Sequence, residues 1–202
     1  MSDKSKDPRV LLLSGGVGGA RMARGLSAVS ANLTVVVNVG DDEVIYGLHV
    51  SPDLDTVLYT LAGVEGSQGW GRAADTFTVM DQLGELGVDN RFRIGDLDLA
   101  TNISRTSDLA AGRPLSSITA TLGKHLGVAA TVLPVTDDLV PTRVRSGTTW
   151  MSFQEYFVLR RAADDVDELD YANAESARPA PGVLSAIADA DVVVIAPSNP
   201  PL

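Results

Sequence analysis

The most constraining feature of the sequence is an apolar run from Val10 to Leu13 that ends in the glycine-rich segment Ser14 to Gly19. The run shows no polar alternation, which is typical of a strand covered on both faces. A helix is predicted next, from Ala20 to Val29, and Leu33 to Val37 predicts a second buried strand. Strand, helix and strand in this order make a βαβ unit, the building block of parallel sheets with helices on both faces.

The same alternation continues along the chain. Further helices are predicted at Asp53 to Ala62, Asp75 to Leu86, Pro114 to Leu126 and Pro181 to Ala188, and further strands near Arg91 to Ile94, Val128 to Leu133 and Asp191 to Ala196. Thr142 to Arg145 and Thr148 to Phe153 flank Ser146-Gly147, which predicts an antiparallel hairpin. The predicted fold class is α/β: a three-layer, Rossmann-like, mostly parallel sheet with helices on both faces and a small β-hairpin insertion.

Composition limits the classes of partner. The 202 residues, 45% of them hydrophobic, suffice for the core of one domain. With 26 acidic and 16 basic residues the net charge is −10, which disfavours nucleic acid and anionic membranes as partners. The chain contains no cysteine, which excludes a thiolate metal site, and its two histidines are too few for a histidine-rich zinc centre. No signal peptide or membrane-spanning stretch is recognisable, so a cytoplasmic location is expected.

The last predicted strand is followed almost at once by Leu202. A doubly wound sheet normally continues into a helix at this point. We therefore expect residues 1–202 to form a single α/β domain that is incomplete at its C-terminus.

The glycine-rich segment is the first candidate binding element. Gly15, Gly16, Gly18 and Gly19 lie between a strand and a helix, where backbone N–H groups can receive a phosphate. The spacing matches neither the P-loop nor the dinucleotide fingerprint. A plain tight turn between strand and helix is the alternative.

Acidic residues form the second candidate element. Asn38, Asp41 and Asp42 follow the second strand, and Asp53 and Asp55 open the next helix, so both groups are expected at the carboxyl edge of the sheet. Magnesium prefers oxygen ligands and takes one or two carboxylates beside substrate phosphates. Asp55 is the predicted principal ligand. Its alternative role is compensation of the helix dipole, which we assign to Asp53.

Two further segments are less specific. Gly95 to Thr101 carries two acids that can cap a helix, and Arg105 follows as either a substrate contact or a solvated side chain. Ser198 and Asn199 follow the last strand, where small polar groups can bind a base or ribose, although such residues also form plain turns. His49 is given no chemical role.

Five segments carry a family resemblance: Ser14 to Gly19, Val37 to Asp42, Ser51 to Thr56, Gly95 to Thr101 and Ala196 to Pro200. Together they resemble the 2-phospho-L-lactate transferase family of coenzyme F-420 biosynthesis. The Ser51 to Thr56 segment is far more specific than the glycine-rich segment. The resemblance covers essentially the whole chain, although family members continue beyond its last residue.

The resemblance implies a transferase reaction. A phospholactyl or phosphoenolpyruvyl group would move from a guanosine-diphosphate-activated donor to the ribityl hydroxyl of the deazaflavin Fo, releasing GMP. Asp55 would hold Mg²⁺, with Asp55 and Asp42 catalytic and Asp41 and Asn38 beside the substrates. The glycine-rich segment, Ser198 and Asn199 would face the guanine nucleotide. A homodimer is implied as well.

Two other functions remain as alternatives. One is a nucleotide-binding regulatory protein of a related fold without transferase activity, which the Ser51 to Thr56 segment disfavours. The other is a nicotinamide-dependent dehydrogenase, which the inexact glycine spacing disfavours. The three-carbon acid stays undetermined, because lactyl, enolpyruvyl and glyceryl donors differ by a hydroxyl or a double bond.

Overall fold

The computed structural model describes residues 7–197, so Ser198 and Asn199 lie outside the described residues. The strands are β1 (Val10–Ser14), β2 (Leu33–Val37), β3 (Glu43–Ile45), β4 (Leu48–Val50), β5 (Thr131–Pro134), β6 (Thr142–Ser146), β7 (Thr149–Ser152), β8 (Glu168–Tyr171) and β9 (Val192–Ile195). The helices are α1 (Gly16–Ser27), α2 (Pro52–Ala62), α3 (Thr78–Glu85), α4 (Asp96–Ala110), α5 (Leu115–His125) and α6 (Val183–Asp189), with a π-helical turn at Glu155–Leu159. None of the helices between residues 7 and 197 is long and apolar enough to cross a membrane.

The central sheet is parallel, with four strands in the order β5-β2-β1-β9. Side chains alternate across it, because successive residues of a strand point to opposite faces. Leu12 and Val35 pack in the main core with residues of α1, α2 and α5, whereas Leu11 and Val36 pack beside Val183 of α6. Helices therefore cover both faces, and the predicted three-layer α/β fold is confirmed.

The antiparallel insertion is larger than predicted. β6 pairs with β7 as expected from Ser146-Gly147, and β8 adds a third strand on the other side of β6. A second hairpin, β3–β4, was not predicted. Its turn places both Tyr46 and Gly47 at positive φ, 54° and 76°, as the tightest hairpin turns require, but tyrosine is not the residue that usually signals such a turn.

Two predicted elements differ most from the structure, and two others, predicted from Asp75 and Val128, begin three residues later, at Thr78 and Thr131. The first helix begins at Gly16 rather than Ala20, because the glycine-rich segment itself forms the first turn of α1. The strand predicted at Arg91 to Ile94 is wrong. Ile94 is buried against the β3–β4 hairpin, and the Phe92 carbonyl accepts a hydrogen bond from the Tyr46 hydroxyl (2.7 Å) instead of from a neighbouring strand.

Candidate active site at the carboxyl edge of the sheet

Three predicted segments converge at the carboxyl edge of the parallel sheet. The Asn38 backbone N–H donates to the Ser14 carbonyl (2.9 Å), which holds the end of β2 beside the end of β1. The Asn38 side-chain Nδ2 donates to Asp53 Oδ2 (3.0 Å) in the first turn of α2. Asp53 also accepts the backbone N–H of Gly16. The expected meeting of the glycine-rich and acidic segments is thus present.

The glycine-rich segment is tightly packed. A Cβ on Gly18 would overlap the carbonyl oxygen of Pro197, and a Cβ on Gly19 would overlap the Ser14 hydroxyl. Gly16 has a φ of +58°, which other residues rarely adopt. Close approach of α1 to β1 and to the segment after β9 accounts for these glycines. Contact of the segment with a nucleotide stays a prediction.

Asn38 organises the turn after β2. Its Oδ1 accepts the backbone N–H of Gly40 (2.9 Å) while its Nδ2 bonds Asp53, so the amide uses both of its ends. Asp53 was assigned to the helix dipole alone, and the structure gives it a second role as the link between Asn38 and Gly16. Asp41 lies among these groups. Burial, together with the charges of Asp53 and Asp42, raises the pKa of Asp41 to about 7.

Asp42 is more deeply buried than Asp53 and Asp55, with 2% of its surface exposed. Its Oδ2 accepts a hydrogen bond from the Ser51 hydroxyl (2.7 Å) and lies 3.0 Å from His49 Nε2. A carboxylate can only accept, so the imidazole nitrogen is the donor. Oδ1 of Asp42 is buried and has no hydrogen-bond partner.

Asp55 is held by an arginine from a distant part of the chain. Its Oδ1 accepts a hydrogen bond from Nη2 of Arg105, and both side chains are buried. Burial raises the pKa of the Asp55 carboxyl, and the guanidinium opposes that rise. The sequence left Arg105 as either a solvated side chain or a substrate contact. In the structure it is buried and pairs with Asp55, a partner that the sequence did not predict. Arg105 lies on the face of α4 that also buries Leu99 and Asn102, and that spacing was the available signal.

The acids at the start of α4 have separate roles. Asp96 accepts the backbone N–H groups of Thr78 (3.0 Å) and Val79 (3.1 Å), so it caps α3 rather than its own helix. Asp75 in turn accepts the N–H of Leu97 (2.7 Å) and caps α4. Asp98 instead accepts a hydrogen bond from the Tyr59 hydroxyl (2.8 Å). Burial and the charge of Asp55 raise the pKa of Asp98 to about 7.

One carboxylate oxygen of the site is chemically suited to a magnesium ion. Among residues 7–197, no group of three acidic or histidine side chains could hold a metal ion by itself. Mg²⁺ usually takes only one or two carboxylates and completes its shell with water and phosphate oxygens. The unpartnered Oδ1 of Asp42 is a hard oxygen of the required kind, whereas Oδ1 of Asp55 is already occupied by Arg105. Asp55 as the principal ligand stays a prediction.

A cavity of about 750 Å³ adjoins the acidic turn, and the sequence did not indicate it. Glu43, which directly follows Asp42, forms part of its wall. Gln154 forms another part and donates through Nε2 to the Asp41 carbonyl (3.0 Å). The cavity is also lined by apolar and aromatic side chains and by two arginines: Ile45, Tyr46, Phe92, Leu159, Arg91 and Arg160. Its volume is that of a small-molecule site.

Known proteins resemble the chain in sequence and in fold. It is 48% identical over 200 residues to a phosphoenolpyruvate transferase of Streptomyces griseus and 42% identical over 194 residues to a 2-phospho-L-lactate transferase of Methanopyrus kandleri. Each match covers 95% of this chain and 63% of the relative, so the chain spans less than two thirds of their length. In structure it resembles protein BH3568 of Bacillus halodurans, with a TM-score of 0.64 and 20% identity over 95% of this chain and 59% of the other.

The family model described as 2-phospho-L-lactate transferase CofD matches residues 10–201. That range contains the glycine-rich segment, the turn after β2, the start of α2 and α4, which together make the site. The chain belongs to the 2-phospho-L-lactate transferase CofD family.

Proposed function

We propose that the chain belongs to a Mg²⁺-dependent transferase of coenzyme F-420 biosynthesis. A phospholactyl or phosphoenolpyruvyl group moves from a guanosine-diphosphate-activated donor to the ribityl hydroxyl of Fo, and GMP leaves. The product is F-420-0 or its dehydro form. The observation that carries the proposal is the gathering of Asp41, Asp42 and Asp53 beside the glycine-rich turn, in a chain of this family.

The chemistry requires placement of two substrates and neutralisation of phosphoryl charge. The ribityl oxygen forms a bond to the phosphorus that bears the three-carbon acid, and the bond from that phosphorus to the oxygen of GMP breaks. The hydroxyl proton is released, and GMP departs with the bond electrons. A bound Mg²⁺ supplies positive charge to the phosphoryl oxygens in such a transfer.

Asp42 and Asp55 are the residues that would hold the ion. Asp42 has the unpartnered oxygen, and its other oxygen is fixed by Ser51 and His49. Burial raises the pKa of Asp41 and of Asp53, and repulsion between these crowded carboxylates and Asp42 adds to the rise. A divalent cation bound there would relieve that repulsion.

The cavity beside Glu43 and Gln154 suits the acceptor. Tyr46, Phe92 and Leu159 offer apolar surface to a flat ring system, and Arg91 offers a donor for ring oxygens. The position of the cavity next to the Asp41–Asp42 turn would bring the ribityl chain of the acceptor toward the carboxylates. The glycine-rich segment, Ser198 and Asn199 would receive the guanine nucleotide. The whole protein would act as a cytoplasmic homodimer.

The test uses this chain and the intrinsic fluorescence of Fo. Fo binding is measured by fluorescence anisotropy, and turnover is measured with phospholactyl and phosphoenolpyruvyl donors, each with and without Mg²⁺. Wild type is compared with Asp42→Asn and Asp55→Ala, and Asp81→Ala on the exposed surface of α3 is the control. Product formation that needs Mg²⁺ and both carboxylates supports the transferase and identifies its donor. Absence of Fo binding by wild type contradicts the proposal.

A further inference from the structure

We propose that Arg105 is a positioning residue that sets both carboxylates of the site, Asp55 directly and Asp42 through His49. The inference rests on the proposed function, because that function assigns the two carboxylates to the substrates and the ion. Neither the family match nor the names of the relatives gives Arg105 a role.

The Arg105 guanidinium is buried at the junction of three segments. Only 1% of the residue is exposed. Nη2 bonds Asp55 of α2, whereas Nη1 donates to the Asn102 Oδ1 (2.8 Å) of its own helix and to the His49 carbonyl (3.3 Å) of β4. One planar group therefore ties α2, α4 and β4 together.

His49 carries this constraint to Asp42. Its backbone N–H donates to the Thr106 hydroxyl (2.8 Å), and its carbonyl accepts from Arg105, so α4 holds both sides of the His49 main chain. The Thr106 hydroxyl is itself oriented by donating to the Asn102 carbonyl (2.7 Å). From this fixed backbone the imidazole reaches Asp42, with Nε2 3.0 Å from Oδ2. Displacement of α4 would thus move the ring and the carboxylate together.

Stability alone is a poor reason for such a pair. Burying two charges is costly, and a buried ion pair can often be replaced by apolar residues without loss of stability. The geometry instead suits orientation. A guanidinium is planar and presents several donors in fixed directions, so it can serve Asp55, Asn102 and His49 at once. A lysine ammonium keeps the charge but lacks this fork, which makes Arg105→Lys the informative substitution.

The experiment measures binding of Mn²⁺, used as a probe for Mg²⁺, to the 202-residue chain by electron paramagnetic resonance of the free ion. Arg105→Lys is compared with wild type. Arg113→Lys is the matched control, since Arg113 pairs with Asp108 in a partly exposed ion pair just beyond α4. We expect Arg105→Lys to raise the Kd for Mn²⁺ about 10- to 100-fold, the range found when an outer partner of a metal ligand is lost. Arg113→Lys should leave the Kd unchanged.

Two milder variants keep the test decisive if Arg105→Lys does not fold, as judged by circular dichroism and thermal unfolding. Asn102→Leu removes an anchor of the guanidinium, and Thr106→Val removes the acceptor of the His49 N–H. Both should raise the Kd for Mn²⁺ while the chain remains folded. A folded Arg105→Lys, or both milder variants, with the wild-type Kd would overturn the positioning role. If wild type binds no Mn²⁺, the metal site of the proposed function fails first, which is a different result.

Discussion

Asn38 and Asp53 are joined by a 3.0 Å hydrogen bond from Nδ2 to Oδ2, which links the end of β2 to the first turn of α2. The two residues are fifteen positions apart. The contact places a neutral donor among the carboxylates of Asp53, Asp41 and Asp42, and so lowers their mutual repulsion. It also sets the distance between the turn after β2 and the helix that carries Asp55.

Replacing this donor by an acceptor should destabilise the site. Asn38→Asp loses the bond to Asp53 and adds a fourth carboxylate to a crowded, buried group. We expect the free energy of unfolding at pH 8 to fall by about 1–3 kcal/mol, and the loss to be smaller at pH 5, where the raised pKa values allow protonation. Urea unfolding at both pH values measures this. Asn32→Asp is the control, because Asn32 is exposed, and an equal loss in both variants would contradict the role of Asn38.

The glycines of α1 should differ sharply in their tolerance of a methyl group. Gly18→Ala forces a Cβ against the Pro197 carbonyl, whereas a Cβ on Gly25 of the same helix meets nothing within 4 Å. Gly18→Ala should therefore cost about 1–3 kcal/mol, while Gly25→Ala should stabilise the chain by roughly 0.5–1 kcal/mol. Thermal and urea unfolding of the two variants test the packing of α1 on the segment after β9. Similar stability of the two variants would show that this close approach is absent.

Asp98 should make the chain less stable as the pH rises. The folded chain keeps the Asp98 proton up to about pH 7, whereas the unfolded chain releases it near the ordinary pKa of 3.8. Between these values the folded state binds more protons, so the free energy of unfolding falls as pH increases. Asp98→Asn retains an oxygen that accepts the Tyr59 hydroxyl but cannot ionise. We expect it to reduce the fall between pH 5 and pH 8 by on the order of 2 kcal/mol.

The control for this prediction is Asp89→Asn. The hydrogen bond from Arg91 lowers the pKa of the exposed Asp89 carboxyl, so Asp89 is ionised in both states throughout this pH range. The variant should therefore keep the wild-type slope. A wild-type slope in Asp98→Asn would mean that Asp98 is already ionised in the folded chain at pH 5.

Filling the cavity beside the acidic turn should block the acceptor alone. Leu159 lines the cavity, whereas its neighbour Val158 in the same π-helical turn is exposed and does not. Leu159→Trp should raise the Kd for Fo at least about tenfold, a loss of about 1.4 kcal/mol, because its larger ring takes space that the ligand needs. Val158→Trp should leave Fo binding unchanged. Fluorescence anisotropy gives both values, and unchanged binding in a folded Leu159→Trp would remove the cavity from the site.

Local sequence was sufficient for the frame of the molecule. The apolar runs of β1 and β2 need burial on both faces, and glycines or caps mark where each neighbouring helix begins or ends, so a parallel α/β sheet follows from short-range pattern alone. The equally apolar run of β9 was predicted to be a buried strand, but β9 is an edge strand of the described sheet, with Val192, Val193 and Ile195 exposed. The position of Asn38, Asp41 and Asp42 after β2 also follows, because the carboxyl ends of parallel strands share one edge. That argument does not extend to Asp53 and Asp55, because α2 follows β4 of the antiparallel β3–β4 hairpin; the hairpin returns the start of α2 to the turn after β2.

The partners of those side chains were decided by the tertiary structure. Arg105 is fifty residues from Asp55, and nothing in the local pattern of α4 says which carboxylate its buried face will meet. The segment from Arg91 to Ile94 has the composition of a strand but pairs with no strand among the described residues. Its Phe92 carbonyl instead accepts a hydrogen bond from Tyr46 of the β3–β4 hairpin. Periodicity reports which residues are buried, whereas the identity of a buried partner depends on how distant segments pack, and only the folded chain determines that.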